Sequence, residues 1–579
     1  MITTIEIKAR TPFVGGARFG EVGAYERIDG IAIGEIDPAH PANRGIVNVD
    51  KAPRNARGLV EYCSDICILR PIDAENGNGR ILYEVNNRGR IMLFANLCAG
   101  KVGNQPQTAA DLGNALPLRR GFTLVWSGWD AGAPRTNGGL GLDAPIATDN
   151  GAPIVRRIRE EFISGTRGGE LTQFRLSHEA ASRDDAVLTV RRTQTAARQP
   201  VAFEFVDART VRLVNGTPEP GSIYELRYAA TNPRVLGIGF AATRDIIAHL
   251  RNSAEGRDLL SRRPTHALAF GISQAGRYLR DHLAQGFNQD ENSGRVFDGI
   301  YTHVAGIGRV FFNCEFGQPG RTRTWHEDHD FPEIEYPFAT AADDVKVIET
   351  NTSTEYWQKG ASLLHTDGTR DVPLPPNVRG YLIPGTQHGG KAGMPRDPGP
   401  CINPRNWHDP MPAVRALLMA LDEWVTDGRE PPPSRLPRVD DGTLVRAEKI
   451  AWPKVTGLVP PRDANDVVAL DDWTDPKKPM HTWQALVPQV DADGNEIAGV
   501  RLPDIAVPTG MFTGWNLYRT PMPEGELADR DGTYLAFETD RYPSKEAFMA
   551  RVQEVVAALQ RDRLLLNEDA TAYSQRVRQ

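Results

Sequence analysis

Ser273 has the surroundings of a nucleophile. The apolar run Ala267–Phe270 ends abruptly at Gly271, and an amphipathic, helix-like segment begins directly after the serine. Small residues, among them Ala275 and Gly276, surround it. This pattern is typical of a strand that turns sharply into a helix and presents a serine at a strained, crowded turn. The usual Gly-x-Ser-x-Gly pattern departs here only at Ala275, by one methyl group. The alternative is a buried turn that carries an ordinary serine.

A serine hydroxyl needs a base, usually a histidine held by a carboxylate. In the chain order that commonly accompanies this turn, the histidine comes last. His388 fits best, because it follows the strand-like run Tyr381–Pro384 and its flanking glycines allow a loop to carry the ring over the serine. His408 is the fallback, since it resembles a capping region before Pro410. His303 lies within a strand pattern and is interpreted as a core residue.

The acid is expected just beyond a strand between the serine and the histidine. Val345–Glu349 is that strand, and Glu355 follows it at the start of a predicted helix. Glu355 is therefore the preferred acid. The alternative acids are Glu349, which is nearer the strand interior, and Asp367. The alternative interpretation of Glu355 is a structural carboxylate at a helix start, where the helix dipole favours negative charge.

A tetrahedral intermediate requires N–H donors for its oxyanion. The backbone N–H of Gln274, directly after the serine, is one candidate. The loop after an early strand, Asn86–Gly89, is the candidate source of the second, and we single out Asn87 and Arg88 within it. Arg88 is also suited to hold a substrate carboxylate. A purely structural turn is the alternative interpretation of this loop.

Strand and helix patterns alternate around these residues. Alternation of this kind predicts an α/β fold with a mostly parallel central sheet and helices on both faces. The predicted units are a β-rich segment (1–75, with strands at Ile2–Ala9, Tyr25–Ile33, Gly45–Val49 and Glu61–Leu69), the first part of the core (76–149), an inserted β-rich or cap subdomain (150–235), the second part of the core (236–427, with a lid-like excursion at 306–343) and a C-terminal extension (428–579). The predicted helices include Thr354–Leu364 and Lys545–Leu566.

Bulk composition excludes several other classes. The chain has 579 residues and a net charge of −7, which argues against a nucleic-acid partner because phosphate binding needs a concentrated basic surface. Its five cysteines are too scattered for a disulfide framework or a zinc ribbon. We see neither a signal-peptide pattern nor an apolar run near the ~20 residues of a membrane span, so a cytoplasmic location is expected. No cofactor is predicted, and Trp325–Asp330 lacks the His-Glu-x-x-His spacing of a metal site, which favours a polar lid segment.

Several further segments match a known group. The chain resembles the large bacterial proteins described as alpha/beta hydrolase domain proteins. The matching segments are Leu82–Gly89, Gly237–Arg244, Phe270–Arg277, Ser353–Trp357, Gly385–Gly389, Val487–Glu496, Pro503–Pro508 and Thr513–Asn516. The resemblance implies an α/β-hydrolase fold with Ser273, Glu355 and His388 as the charge relay. It also implies that residues 440–579 belong to the same unit and wall the pocket.

The sequence therefore predicts a serine hydrolase that cleaves a small carboxylic ester through an acyl-enzyme. Lactone, thioester or amide cleavage by the same triad is the nearest alternative. A catalytically silent binding protein and a metal-dependent hydrolase are the others. The sequence leaves the oligomeric state open.

Overall fold

A computed structural model gives the architecture of the chain. It describes residues 1–165, 171–320, 345–391, 395–470, 479–539 and 541–576. Among these residues, no helix is long and apolar enough to cross a membrane.

One large sheet organises the molecule. Nine strands form its main path: β1 (Ile2–Pro12), β2 (Gly23–Ile36), β3 (Val60–Pro71), β4 (Arg80–Glu84), β5 (Thr123–Ser127), β6 (His266–Ile272), β7 (Gly299–His303), β8 (Lys346–Thr352) and β9 (Val378–Ile383). Their spatial order is β1-β2-β3-β5-β4-β6-β7-β8-β9. The short strands Arg18–Phe19 and Leu142–Asp143 extend β2 and β3 at the side.

The sheet is mixed. The strands β1, β2, β3 and β5 pair antiparallel, whereas β5, β4, β6, β7, β8 and β9 run parallel to one another. Parallel strands end at the same sheet edge, so the segments that follow β4, β6, β8 and β9 start close together. These are the segments that carry the predicted site residues.

Ten helices accompany the strands in the described part of the chain. They are α1 (Leu93–Leu97), α2 (Leu116–Arg119), α3 (Ile238–Asn252), α4 (Ala254–Leu260), α5 (Gln274–Ala284), α6 (Ser353–Gln358), α7 (Met411–Asp427), α8 (Pro503–Ala506), α9 (Lys545–Arg561) and α10 (Asn567–Arg576).

The central strands are buried on both faces, which parallel sheets require. Successive side chains alternate between faces, so Ile81 and Tyr83 of β4 join one hydrophobic core and Leu82 joins the other. The first core packs against α3 and α5, and the second against α7 and α9. Helices on both faces therefore hold the central strands and fix where they end.

Smaller sheets surround this core. They comprise the sheet of Val155–Ile163, Glu179–Ala180, Val187–Arg191, Gln199–Pro200 and Ile223–Thr231, the sheet of Phe174–Arg175, Phe203–Asp207 and Thr210–Leu213, and the pairs Thr148–Asp149 with Ala152–Pro153, Leu444–Val445 with Val487–Pro488, Val467–Leu470 with Pro479–Trp483 and Gly510–Phe512 with Tyr534–Ala536.

Three sequence predictions of local structure are wrong. Gly45–Val49 is not a strand but a run of turns, in which Asn48 takes a left-handed φ of 62°. The predicted helix Thr354–Leu364 stops at Gln358, because Gly360 has a φ of 57° and only a 3₁₀ turn follows. The predicted helix Lys545–Leu566 ends at Arg561, and α10 then starts separately. In each case a local turn conformation interrupts an apolar periodicity.

Candidate active site

Ser273 occupies the sharp turn between β6 and α5. Its φ of 59° and ψ of −118° lie outside the regions that L-residues normally adopt. Its backbone N–H donates to the carbonyl of His303 at 2.7 Å, which ties the turn to the end of β7. The turn is therefore held in a strained conformation by its neighbours, as is common at functional sites.

The small residues around Ser273 differ in how much space surrounds them. A Cβ at Gly271 would lie 2.5 Å from the carbonyl oxygen of Ala275, so no side chain fits there without movement. A Cβ at Gly276 would lie 3.1 Å from the Ala305 side chain. Ala275 itself is buried without conflict. The alanine in the usual glycine position is tolerated because the close approaches fall at Gly271 and Gly276.

A substitution at Gly271 should therefore disturb the turn. We expect Gly271→Ala to lower the free energy of unfolding by about 1–3 kcal/mol, because the added methyl group has to displace backbone atoms. Gly45→Ala is the matched control, since a Cβ there meets nothing within 4 Å. Chemical denaturation followed by tryptophan fluorescence measures both. Equal stability of the two variants would contradict the crowding.

His388 lies between Ser273 and Glu355. Its Nε2 is 2.9 Å from Ser273 Oγ, and its Nδ1 is 2.5 Å from Glu355 Oε1. With the ring proton on Nδ1, the imidazole donates to Glu355 and accepts from the serine hydroxyl. The three residues lie in the segments that directly follow β6, β8 and β9, so the parallel sheet brings them together.

Glu355 is fully buried and ionised. Burial alone would raise its pKa, yet the pKa of Glu355 is lowered because the carboxylate faces His388 and accepts hydrogen bonds from His388 and Thr352. Thr352 and Glu355 form a reciprocal capping box at the start of α6. Because the pKa of Glu355 is lower in the folded protein than the 4.5 of the unfolded chain, ionised Glu355 stabilises the folded state at pH values above 4.5. This stabilisation is lost as the pH falls through the lowered pKa of the folded state.

The alternative acids have other partners. Glu349, in β8, accepts from Arg280 Nη2 at 2.5 Å and from Thr302 Oγ1 at 3.0 Å. Asp367 lies in a turn, where hydrogen bonds from Thr369 and Arg370 hold its pKa below the usual range.

The alternative histidines also lie elsewhere. His408 is buried, with Nδ1 3.1 Å from Asp504 Oδ2. His303 is buried in β7, where its Nδ1 is 2.8 Å from Thr350 Oγ1 and burial lowers its pKa to about 3. His388 is the histidine that the structure places against Ser273.

The C-terminal part of the chain holds the loops that carry His388 and Glu355. Glu496 accepts from the Ser353 hydroxyl at the start of α6 and from the Gly385 N–H three residues before His388. Thr354 donates to the carbonyl of Gly514 and accepts from the His388 N–H at 3.1 Å. Residues beyond 490 thus support the acid and the base from outside the main sheet.

Glu496 makes the stability of the folded protein depend on pH. Burial raises the pKa of Glu496 to about 7, from 4.5 in the unfolded chain. The folded protein therefore retains a proton that the unfolded chain releases, so stability falls as pH rises from 4.5 to about 7. We expect Glu496→Gln to be more stable than the wild type by about 3 kcal/mol at pH 8, with the difference vanishing near pH 4.5.

Thermal unfolding across this pH range tests the expectation. The exposed Glu538→Gln is the matched control and should follow the wild-type curve at every pH. A Glu496→Gln curve parallel to that of the wild type would show that Glu496 does not titrate in this window.

A cavity of about 490 Å³ opens in front of Ser273 and His388. Gln274, Asn87 and Arg88 line it, so the structure places every predicted site residue except the buried Glu355 on one cavity wall. Gln274 opens α5, and its backbone N–H therefore has no acceptor within the helix. The Gln274 side chain donates to the carbonyl of Pro319.

Backbone N–H groups of the Asn86–Gly89 loop donate hydrogen bonds within the loop and to Arg90. The Asn87 N–H donates to the Arg90 carbonyl at 2.8 Å, the Arg88 N–H to the Asn86 carbonyl at 3.0 Å, and the Gly89 N–H to Asn86 Oδ1 at 2.6 Å. Asn87 and Arg88 both line the cavity. The backbone N–H groups of Asn87, Arg88 and Gly89 are therefore already hydrogen-bonded within the loop.

Strained backbone is concentrated around the cavity. Four of its lining residues other than glycine have positive φ: Arg88 (49°), Ser273 (59°), Val304 (50°) and Arg530 (63°). Positive φ is uncommon outside glycine and a true outlier for a β-branched residue such as valine. Three of the four, Arg88, Val304 and Arg530, lie outside the proposed relay, so backbone strain is a second reason to treat the cavity as the candidate site.

A comparison with known proteins finds the family of the chain. A family model described as "Alpha/beta hydrolase domain" matches residues 174–575. The chain belongs to the alpha/beta hydrolase family. A search of curated proteins finds no match.

The alpha/beta hydrolase match covers Ser273, Glu355, His388 and the supporting Glu496. Residues 1–173 lie outside it, although they supply β1 to β5 and the Asn86–Gly89 loop. In this alpha/beta hydrolase, the three candidate residues Ser273, Glu355 and His388 therefore lie in the matched region, whereas Asn87, Arg88, Arg90 and Pro134 of the cavity lining come from the segment before it.

Sequence reasoning overlooked several residues at the site. Thr352 had a readable signal, because Thr-x-x-Glu before an apolar run is a capping-box pattern. Glu496, Lys359 and Arg530 had none, since they are distant in sequence from the serine. The described residues include 306–320 of the predicted lid, whereas Trp325–Asp330 and the rest of that excursion lie outside them.

Proposed function

We propose that this alpha/beta hydrolase is a serine esterase that uses Ser273, His388 and Glu355 as its catalytic triad. The observation that carries the proposal is the continuous relay from Ser273 Oγ through the His388 ring to Glu355, at 2.9 Å and 2.5 Å, on the wall of a cavity of about 490 Å³. A cavity of this size suits a small-molecule substrate.

Acylation begins when Ser273 Oγ attacks the ester carbonyl carbon. His388 Nε2 takes the hydroxyl proton as the new C–O bond forms, and the carbonyl oxygen becomes an oxyanion. The buried Glu355 carboxylate keeps the proton of His388 on Nδ1 and stabilises the imidazolium. Collapse of the intermediate breaks the bond to the leaving alcohol, which receives the proton from Nε2.

Two donors are suited to the oxyanion. One is the backbone N–H of Gln274, at the start of α5. An oxyanion donor is expected at this position, because Gln274 directly follows the nucleophile. We assign the second to the Asn87 side-chain amide rather than to a backbone N–H, because the neighbouring N–H groups are bonded within their own loop.

Deacylation repeats the same steps with water. His388 Nε2 takes a proton from water as the water oxygen attacks the acyl carbon, and the proton then returns to Ser273 Oγ as the acid product leaves. No group outside the triad and the oxyanion donors is needed to balance the reaction.

Burst kinetics with para-nitrophenyl acetate test the proposal. We expect a rapid release of one equivalent of para-nitrophenol per enzyme, and an acetyl group on Ser273 in peptide mapping of the quenched enzyme. A matched lactone, acetyl thioester and anilide compare the bond types by kcat/KM. Absence of hydrolysis together with intact ligand binding would favour a non-catalytic binding protein.

A further inference from the structure

Basic residues are concentrated around the cavity in front of Ser273. Five of them line it, and none of its lining residues in the described part of the chain is an aspartate or glutamate. These five are Arg88, Arg90, Arg277, Lys359 and Arg530. They come from the loop after β4, the first turn of α5, the end of α6 and the C-terminal extension, so no single segment of sequence displays the cluster.

Two of the arginines are held from behind by buried carboxylates. Arg88 Nε donates to Asp130 at 2.5 Å, and Arg530 Nε donates to Asp529 at 2.8 Å. The aspartate side chains are 1% and 4% exposed, whereas both arginine side chains are 31% exposed. A guanidinium has five N–H donors in a rigid fork. Each anchored arginine is therefore oriented by its aspartate and retains donors for a ligand in the cavity.

Arg90 adds a charge without such an anchor. It is exposed on the same loop as Arg88, and it forms no ion pair with any residue that the structure describes. A basic group on a concave wall raises the local concentration of ligands of the opposite sign. A neutral ester would gain nothing from this arrangement.

We call Arg88, Arg90, Arg277, Lys359 and Arg530 together the cationic wall. We propose, on the basis of the proposed esterase function, that the substrate carries a second, anionic oxyacid group. The cationic wall binds this group while Ser273 attacks the ester. The monoester of a dicarboxylic acid is the simplest member of this class. An arginine guanidinium binds two oxygens of a carboxylate or phosphate at once. Such binding both attracts the anionic substrate and fixes the position of its ester group.

A pair of substrates that differ only in charge tests this inference. They are para-nitrophenyl hemiglutarate and its neutral methyl ester. We expect kcat/KM for the anionic substrate to be about tenfold higher or more at low ionic strength, and the ratio to fall as salt screens the wall. Equal kcat/KM values for the two esters would overturn the inference and leave the esterase function standing. Hydrolysis of neither would overturn both.

Arg90→Gln should lower the ratio of the two kcat/KM values by about three- to tenfold, since it removes one charge from the wall. Arg551→Gln, on the exposed face of α9, is the matched control and should leave the ratio unchanged. An unchanged ratio in Arg90→Gln would remove the cationic wall from substrate recognition.

Competition identifies the anion. Glutarate and inorganic phosphate are compared as inhibitors of para-nitrophenyl acetate hydrolysis by the full-length enzyme. Stronger inhibition by glutarate assigns a carboxylate, and stronger inhibition by phosphate assigns a phosphate. Lack of inhibition by either at millimolar concentration would contradict an anion site in the cavity.

Discussion

Ser273→Ala is expected to lower kcat/KM for para-nitrophenyl esters by about 10⁴-fold or more. The substitution removes the attacking oxygen, so only the oxyanion donors and substrate binding remain to accelerate attack by water. Steady-state rates with the wild type measured in parallel give the ratio. The folded state should survive, because alanine removes one oxygen from a turn whose strain is held by neighbouring residues.

The thermal unfolding curve is the control for Ser273→Ala. A variant that unfolds at the wild-type temperature and has lost turnover locates the defect in the chemistry. Turnover within a few-fold of the wild type would mean that another group performs the attack, and the assignment of the nucleophile would be wrong.

Glu355→Gln is expected to lower kcat by about 10⁴-fold with a smaller change in KM. The amide can still contact His388 Nδ1, but it no longer favours a proton there or stabilises the imidazolium, so Nε2 ceases to act as a base. The pKa of Glu355 is lowered, so the wild-type group is a carboxylate throughout the range in which activity is measured.

Asp367→Asn is the matched control for Glu355→Gln. It makes the same change of a carboxylate to an amide at a position whose hydrogen bonds are confined to its own turn. We expect it to retain wild-type kcat. A comparable loss in both variants would indicate that the charge change acts through folding, whereas a loss in Asp367→Asn alone would make Asp367 the acid.

The strand and helix patterns around Ser273 could be predicted because they are local. The apolar run Ala267–Phe270 lies within β6, and the helix-like segment expected directly after the serine is α5. The apolar run, the glycine and the amphipathic helix are neighbours in sequence, so short-range periodicity sufficed. Where one backbone conformation interrupted a periodic run, as at Gly360, the same reasoning failed.

The surroundings of the triad could not be predicted in this way. The cationic wall gathers side chains separated by hundreds of residues, and its anchoring aspartates become visible only once burial is known. Glu496 reaches the loops of both Glu355 and His388 through contacts that depend on how the C-terminal extension packs. Such long-range contacts follow from the tertiary fold and have no local pattern.

The central claim is that His388 makes the Ser273 oxygen reactive, and labelling with a fluorophosphonate probe tests it most directly. We expect the wild type to be labelled stoichiometrically, with the probe on the peptide that contains Ser273, and His388→Asn to be labelled at least about 10³-fold more slowly. Labelling of Ser273 at equal rates in both proteins, or labelling of a different residue in the wild type, would contradict the account.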